Sequence, residues 1–340
     1  EAFETAVGPG ASPDVRSRSL AGRALAHEKL LHWTEALNLY REVVAASPDA
    51  ELRRWAGESV LALGKAHLAR GELRPALEAF RRARELTPPP GQSQEARFWE
   101  AEALARLKRG DEARVAFDAV LAADAASPFA PDAVYGLASL ALEQRRPLPA
   151  VARFRELLLV WPDSPRVPDA TFALARTLMD LGRYQEAGPL LQRFVEHHPR
   201  HPRAADARYL LGQGALEQKK YREAVVLARA AARSEDPDTR TRAALVIGEA
   251  ELNLGRYAAA LQSFEAAAGP GAEREVRSRA LAGRGLACEK LRRWPEALRL
   301  YQEVVTSSHD AELRQWAQDR ALAMKAPGTP AQKRPTTNPL

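Results

Sequence analysis

The stretch LALGKAHLARGELRPALEAFRRARELTP, residues 61–88, decides the fold of this chain. It predicts two antiparallel helices joined by a short turn at Gly71. Small Gly and Ala side chains allow the two helices to approach closely, and the Phe80 ring fills the space towards the neighbouring helix pair. Pro88 ends the second helix, because proline lacks a backbone N–H and clashes with the preceding turn.

The alanine in the second half of this stretch recurs along the whole chain. Most of these alanines are followed four residues later by a large residue, and successive ones are 36 to 40 residues apart. They are Ala36, Ala76, Ala113, Ala150, Ala187, Ala224, Ala260 and Ala297. A fixed period of this length is typical of repeat proteins, in which each unit packs on its neighbours.

Residues 61–88 resemble the tetratricopeptide repeat (TPR) family position by position. The matching residues are Leu63 and Gly64 in the first helix, Gly71 in the turn, Ala76, Phe80 and Ala83 in the second helix, and Pro88. The resemblance implies an all-α fold, a right-handed α-solenoid of about eight helix-turn-helix repeats with a C-terminal capping helix.

The repeat phase predicts how the chain is divided. Residues 1–10 are predicted to be the second helix of a truncated preceding repeat, which would mean that the natural chain starts further upstream. Residues 11–310 are predicted to form the eight repeats, and residues 311–325 a capping helix. Residues 326–340 are rich in Pro, Thr and polar residues, which predicts a disordered tail.

A larger duplication lies on top of the repeats. Residues 3–56 and 264–317 align without a gap, and roughly two thirds of their positions are identical. The simpler interpretation is a recent duplication within a longer array. The alternative is that both copies bind the same kind of partner, which would increase affinity through bivalency.

Composition and charge bear on the class of function. The chain has 340 residues, 50 Lys and Arg, 44 Asp and Glu, and a formal net charge of +6. The basic residues are interleaved with acidic ones along the whole length, which is typical of solvated helix faces and not of a nucleic-acid-binding patch. A nucleic-acid-binding solenoid therefore stays an alternative that depends on the high pI alone, and a purely structural spacer is another.

The sequence contains no pattern that indicates chemistry. Cys288 is the single cysteine, which excludes an internal disulfide and a cysteine zinc site. His197, His198 and His201 form the densest histidine group, without carboxylates that complete a metal site. No phosphate-binding loop or catalytic motif occurs. We therefore predict no enzyme activity, no metal, no cofactor and no small-molecule substrate. No apolar run reaches the length of a membrane span, so no direct membrane insertion is predicted.

The TPR resemblance implies that the first helix of each repeat lines a concave groove. On this mapping one aromatic position recurs in the groove at about the repeat period, at Phe98, Tyr135, Phe172 and Tyr209. Acidic residues stand three positions before each of the four, near the start of the helix, at Glu95, Asp132, Asp169 and Asp206, and others follow three of them at Glu143, Asp180 and Glu217. Arg176 occupies a further groove position.

Each of these patterns also has a structural explanation. The aromatic residues could pack against the neighbouring first helix, and acidic residues in a first turn complement the helix dipole. The functional interpretation is a groove with aromatic anchors and an acidic rim. The Lys and Asn residues with which chaperone-binding TPR clamps grip a carboxylate are missing.

Together these features predict a protein–protein interaction scaffold or adaptor. It would bind a partner protein or peptide, basic or amphipathic in character, in the concave groove. The loops at residues 161–175 and 198–212 resemble those of bacterial envelope TPR proteins, and the Ala-, Leu- and Arg-rich composition indicates a bacterial source. The resemblance implies a bacterial multiprotein assembly of the envelope, motility or polarity machinery, in the cytoplasm or the periplasm.

Overall fold

A computed structural model describes residues 11–86, 90–124 and 126–325. Within these residues all regular structure is helical, in 17 helices, which confirms the all-α class of tandem repeats. The predictions for residues 1–10, for Pro88 and for the tail 326–340 lie outside the described residues. The helices are α1 (Pro13–Lys29), α2 (Trp33–Ala46), α3 (Ala50–Ala69), α4 (Leu73–Leu86), α5 (Pro90–Arg106), α6 (Gly110–Ala123), α7 (Ala130–Glu143), α8 (Pro147–Val160), α9 (Val167–Asp180), α10 (Tyr184–His197), α11 (Ala204–Glu217), α12 (Tyr221–Ala231), α13 (Pro237–Asn253), α14 (Tyr257–Ala267), α15 (Arg274–Lys290), α16 (Trp294–Ser307) and α17 (Ala311–Lys325).

The helices alternate between two roles. Odd-numbered helices from α1 to α15 are the first helices of the repeats, and the even-numbered helices are their antiparallel partners. The last helix, α17, packs against α16. The chain divides into two compact units, residues 1–170 (unit 1) and residues 171–340 (unit 2).

The turn inside each repeat has one residue in the left-handed backbone region. These residues are Leu31, Gly71, Lys108, Arg145, Gly182, Lys219, Gly255 and Arg292, with φ between 56° and 76°. Each lies five residues before one of the marker alanines. The positive φ suits glycine, and the five other residues adopt it at a steric cost of roughly 1–2 kcal/mol each. The same tight turn therefore closes all eight repeats.

The core follows the repeat period. All eight marker alanines have 0% of their surface exposed, and so do the residues four positions later in each second helix. The latter are Tyr40, Phe80, Phe117, Phe154, Leu191, Ala228, Phe264 and Tyr301. Residues four apart lie on one face of a helix, so this pair forms the seam between first and second helices.

Glycines of the first helices make room for the buried rings in unit 2. A Cβ atom placed on Gly248 would approach Phe264 to 2.7 Å, and one placed on Gly283 would approach it to 2.4 Å. The Phe264 ring is therefore clamped between α13 and α15. Because protein interiors are close-packed, a side chain larger than glycine at either position would require the Phe264 ring to move.

The two duplicated copies differ in a buried polar contact. In the first copy the Tyr40 hydroxyl donates to Glu28 at 2.6 Å. In the second copy Tyr301 donates to Glu289 at 2.9 Å, and Arg320 of α17 donates to both carboxylate oxygens of Glu289 at 3.1 and 3.0 Å. Burial together with the neighbouring carboxylate raises the pKa of both tyrosines. Arg320 thus anchors the last helix to the last repeat.

Candidate partner-binding face

The first helices of unit 2 form a continuous surface. Successive first helices α11, α13 and α15 pack directly on each other, whereas the second helices α12 and α14 contact each other much less. Such spacing places the first helices on the inner side of the curve within unit 2. We call the surface of α11, α13 and α15 the inner face. In unit 1 successive first helices contact each other about as much as successive second helices do. Neither set is therefore assigned to the inner side of that unit.

Two of the predicted aromatic anchors belong to the core. Phe98 and Phe172 are each only 6% exposed. The Phe98 ring packs against Phe117 and Phe129 at centroid distances of 6.1 and 5.8 Å, and the Phe172 ring lies 5.7 Å from that of Phe194. These partners lie on second helices and at Phe129, not on the neighbouring first helix that the sequence analysis gave as the alternative. Both rings are buried in the core and are not available as groove anchors.

The other two aromatic residues, Tyr135 and Tyr209, are only partly buried. The Tyr135 ring packs on Phe154 at 5.5 Å, and the Arg166 guanidinium lies over its face at 5.5 Å. Burial raises the pKa of Tyr209, and the nearby Arg242 and Arg279 oppose this shift. A tyrosine can keep its hydroxyl at the surface while its ring packs, so both remain available to a partner.

In unit 1 the acidic row is paired with a basic residue. Arg166 forms a short ion pair with Asp132 and lies 3.8 Å from Asp169. Burial lowers the pKa of Arg166, but the two neighbouring carboxylates raise it more, so that the pKa lies above its ordinary value. Arg166, Tyr135, Asp132 and Asp169 thus form one cluster. Arg166 compensates one of the two negative charges of this cluster, which weakens the predicted acidic rim at this place.

In unit 2 Asp206 is also paired. Arg203 lies 3.6 Å from its carboxylate, and Thr239 of the next first helix donates to it at 2.6 Å. Arg203 precedes Asp206 by three residues, as Arg166 precedes Asp169, and the two arginines are 37 residues apart. This recurring arginine is a signal in the sequence that the acidic-rim interpretation did not use.

The remaining predicted residues lie at the surface. Glu143 pairs with Lys108 at 3.0 Å, and both side chains are largely exposed. Arg176 and Asp180 on α9 are exposed. Glu217, at the end of α11, is also exposed and lies beside a cavity in the inner face. The structure therefore does not gather the predicted site residues into a single site.

The cavity in the inner face has a volume of about 280 Å³ and is lined by residues of α11, α13 and α15. Tyr209 and Glu217 come from α11, Arg242 and Glu249 from α13, and Arg279 from α15. We call it the Glu249 cavity. It brings an aromatic ring and charged groups from three successive repeats to one place, and the sequence analysis named only Tyr209 and Glu217 of these residues as binding residues.

Glu249 is the unusual group in this cavity. It is only 5% exposed, and its Oε1 atom accepts a hydrogen bond from Arg279 at 2.8 Å. Burial raises the pKa of Glu249, Arg279 opposes that shift, and the charge of Glu217 adds to it. A buried carboxylate with one cation and a second carboxylate nearby is costly to ionise.

We expect the Glu249→Gln variant to gain stability relative to the wild type as the pH rises. A carboxyl in the unfolded chain titrates near about 4.3, and the folded pKa of Glu249 is higher. The protonated Glu249 carboxyl therefore contributes to the free energy of unfolding of the wild type below about pH 4, and this contribution is lost as the pH rises through the folded pKa. The amide side chain of Glu249→Gln does not titrate, so the variant avoids this loss. Urea unfolding at about pH 4 and about pH 7 measures the effect, with the exposed Glu265→Gln as control. Parallel pH profiles of Glu249→Gln and wild type would contradict it.

Other potentially reactive or metal-binding side chains do not form a site in the described part of the chain. Cys288 is fully buried, and burial raises the pKa of its thiol, which disfavours the reactive thiolate. Among the described residues no group of three or more His, Cys, Asp or Glu side chains could hold a metal ion. Every described helix falls short of the length and apolarity that a bilayer span requires.

Comparisons with known proteins agree with this repeat architecture. The family model described as tetratricopeptide repeat matches seven overlapping stretches, residues 21–65, 61–131, 111–165, 135–199, 172–239, 210–275 and 245–312. Together these stretches cover most of the chain. The comparison with curated proteins finds no match.

Solved structures share the fold at low sequence identity. A tetratricopeptide repeat protein from Parabacteroides merdae is 15% identical, with a TM-score of 0.50 over 78% of this chain and 98% of its own. Pseudomonas aeruginosa PilF is 18% identical, with a TM-score of 0.53 over 68% of this chain and 99% of its own. PilW, a type IV pilus biogenesis factor, is 15% identical, with a TM-score of 0.50 over 66% and 97%. The turns, the seam and the family matches together show that this chain belongs to the tetratricopeptide repeat family.

Proposed function

We propose that this protein is a non-enzymatic scaffold that holds a segment of a partner protein on the inner face of unit 2. The Glu249 cavity is the observation that carries the proposal, because it offers a recessed, partly aromatic and partly charged surface. TPR proteins are in general protein-binding scaffolds, and the cavity lies on the helices that form the inner side of this unit.

The charge of the inner face favours a protein over a nucleic acid. The cavity is lined by Glu217, Glu249, Glu273 and Glu275, but by only two arginines. A nucleic-acid backbone requires a basic stripe, and these carboxylates would repel its phosphates. A steep loss of partner binding with increasing salt would favour the nucleic-acid alternative.

We further propose that the partner belongs to a bacterial multiprotein assembly of the envelope, motility or polarity machinery. The support is the Ala-, Leu- and Arg-rich, lysine-poor composition, together with loops of the kind seen in bacterial TPR proteins. The pilus biogenesis role belongs to PilW itself, and at 15% identity the likeness extends to the fold.

A charge reversal on the inner face tests the proposal. The wild type and Glu217→Lys would be used to capture partners from a lysate of the source organism, with Glu265→Lys as matched control. Both glutamates are exposed, but Glu265 lies on the second helix α14. We expect a partner that the wild type and the control retain and that Glu217→Lys retains about tenfold less, because like charges at an interface are unfavourable.

Equal retention by Glu217→Lys would contradict the inner-face site. Circular dichroism of each variant gives the folding control, since an exposed substitution of this kind should change stability by less than about 0.5 kcal/mol. A captured partner that Glu265→Lys loses instead would assign binding to the second-helix face.

A further inference from the structure

We propose that the Glu249 cavity receives the guanidinium of an arginine from the partner protein. This inference builds on the proposed function and names the partner's anchoring chemistry. The argument uses the charges that line the cavity, the hydrogen bonds that these charges already make, and the walls between them.

The charges of the cavity do not balance. Arg279 pairs with Glu249 at 2.8 Å, and Arg242 pairs with Glu273 at 3.2 Å. Glu217 and Glu275 also line the cavity, and no cation of the described residues lies within ion-pair distance of either. The cavity therefore has two more carboxylates than guanidiniums, which favours a cationic ligand.

The deepest carboxylate has an oxygen without a donor. Glu249 is 5% exposed, and Arg279 donates only to its Oε1 atom. Its Oε2 atom accepts no hydrogen bond from any residue that the structure describes. The Oε2 atom is not among the buried side-chain atoms that lack a partner, so it is accessible from the cavity, and a cationic donor that enters the cavity can form a charge-assisted hydrogen bond with it. We expect a cation to interact most favourably at a position between the carboxylates of Glu249 and Glu217.

The walls of the cavity suit an arginine side chain. Leu245 and Val246 provide apolar surface for its methylene groups, as long basic side chains bury their stems along such surfaces. The half-buried Tyr209 ring offers a face for a guanidinium. Arginine can also donate two hydrogen bonds to one carboxylate or bridge two, which a lysine ammonium does less well.

A peptide selection followed by a double-mutant cycle tests the inference with the full chain. A displayed library of random peptides would be selected on the wild-type protein, and one enriched peptide would be measured by calorimetry. We expect enriched peptides to contain an arginine whose replacement by Gln weakens binding to the wild type by about tenfold or more. Binding to Glu249→Gln should start weaker and should lose much less from the same change in the peptide.

The matched control is Glu265→Gln on α14, which makes the same change at an exposed site outside the cavity. It should bind the peptide as the wild type does. Glu249→Gln keeps the shape of the side chain, and its unfolding curve shows whether it is folded.

The outcomes separate the two proposals. In one outcome Glu217→Lys abolishes peptide binding, but replacing the peptide arginine by Gln leaves the affinity for the wild type unchanged. In another, that replacement lowers the affinity for the wild type and for Glu249→Gln by the same factor. In either case the inner-face site stands and the arginine anchor is wrong. If peptides bind equally well to Glu217→Lys, or if no peptide is enriched, both proposals are overturned.

Discussion

Replacing Phe264 by alanine should lower the free energy of unfolding by about 3–5 kcal/mol. The ring is fully buried and lies between α13 and α15, so its removal leaves a cavity at the contact between two repeats. Urea unfolding followed by circular dichroism measures the loss. Phe264→Leu is the matched control, because it keeps much of the volume and should cost less than Phe264→Ala.

The glycine facing this ring gives a sharper form of the prediction. Gly283→Ala in the wild type should be destabilising, because its Cβ would lie 2.4 Å from the Phe264 ring. In the Phe264→Ala background the same change should stabilise, by up to about 1 kcal/mol, since alanine favours the helix over glycine and the clash is gone. An effect of the same sign in both backgrounds would show that the ring and the glycine are not coupled as described.

Replacing Arg320 by methionine should also be strongly destabilising, by about 3–5 kcal/mol for the attachment of α17. The change removes the ion pair and the two hydrogen bonds that Arg320 makes with the buried Glu289 carboxylate. Because repeat proteins unfold locally, the effect is expected in α17 before the rest of the chain. Hydrogen exchange of the α17 backbone amides is therefore the appropriate measurement.

A second substitution separates charge from packing at this place. Glu289→Gln combined with Arg320→Met removes both charges, and we expect it to recover much of the protection of α17. If the single and double variants exchange equally fast, the ion pair contributes little and the contact of Arg320 with Trp316, 5.3 Å from its ring, is the more important one.

The fold could be predicted from the sequence because its determinants are local and periodic. The eight marker alanines gave the repeat phase, and the structure buries every one of them completely. The inter-helix turn was recognised from Gly71. Lys219 and Arg292 adopt the same left-handed backbone, which their residue types do not indicate, and the period of their neighbours predicts it.

The site was less predictable because it depends on contacts between repeats. Phe98 and Tyr135 occupy equivalent positions, yet Phe98 is buried by Phe117 and Phe129, whereas Tyr135 stays partly exposed. Asp132 looked like part of an acidic rim, but Arg166, 34 residues later, lies against it. Glu249 was not among the predicted binding residues, because its burial arises from contacts with neighbouring repeats.

Hydrogen–deuterium exchange of the full chain, with and without a captured partner or a selected peptide, tests the central claim most directly. The inner-face account predicts slower exchange in α11, α13 and α15 on binding, with α12 and α14 little changed. Protection confined to α12 and α14, or to unit 1, would contradict the proposal that the partner is held on the inner face of unit 2.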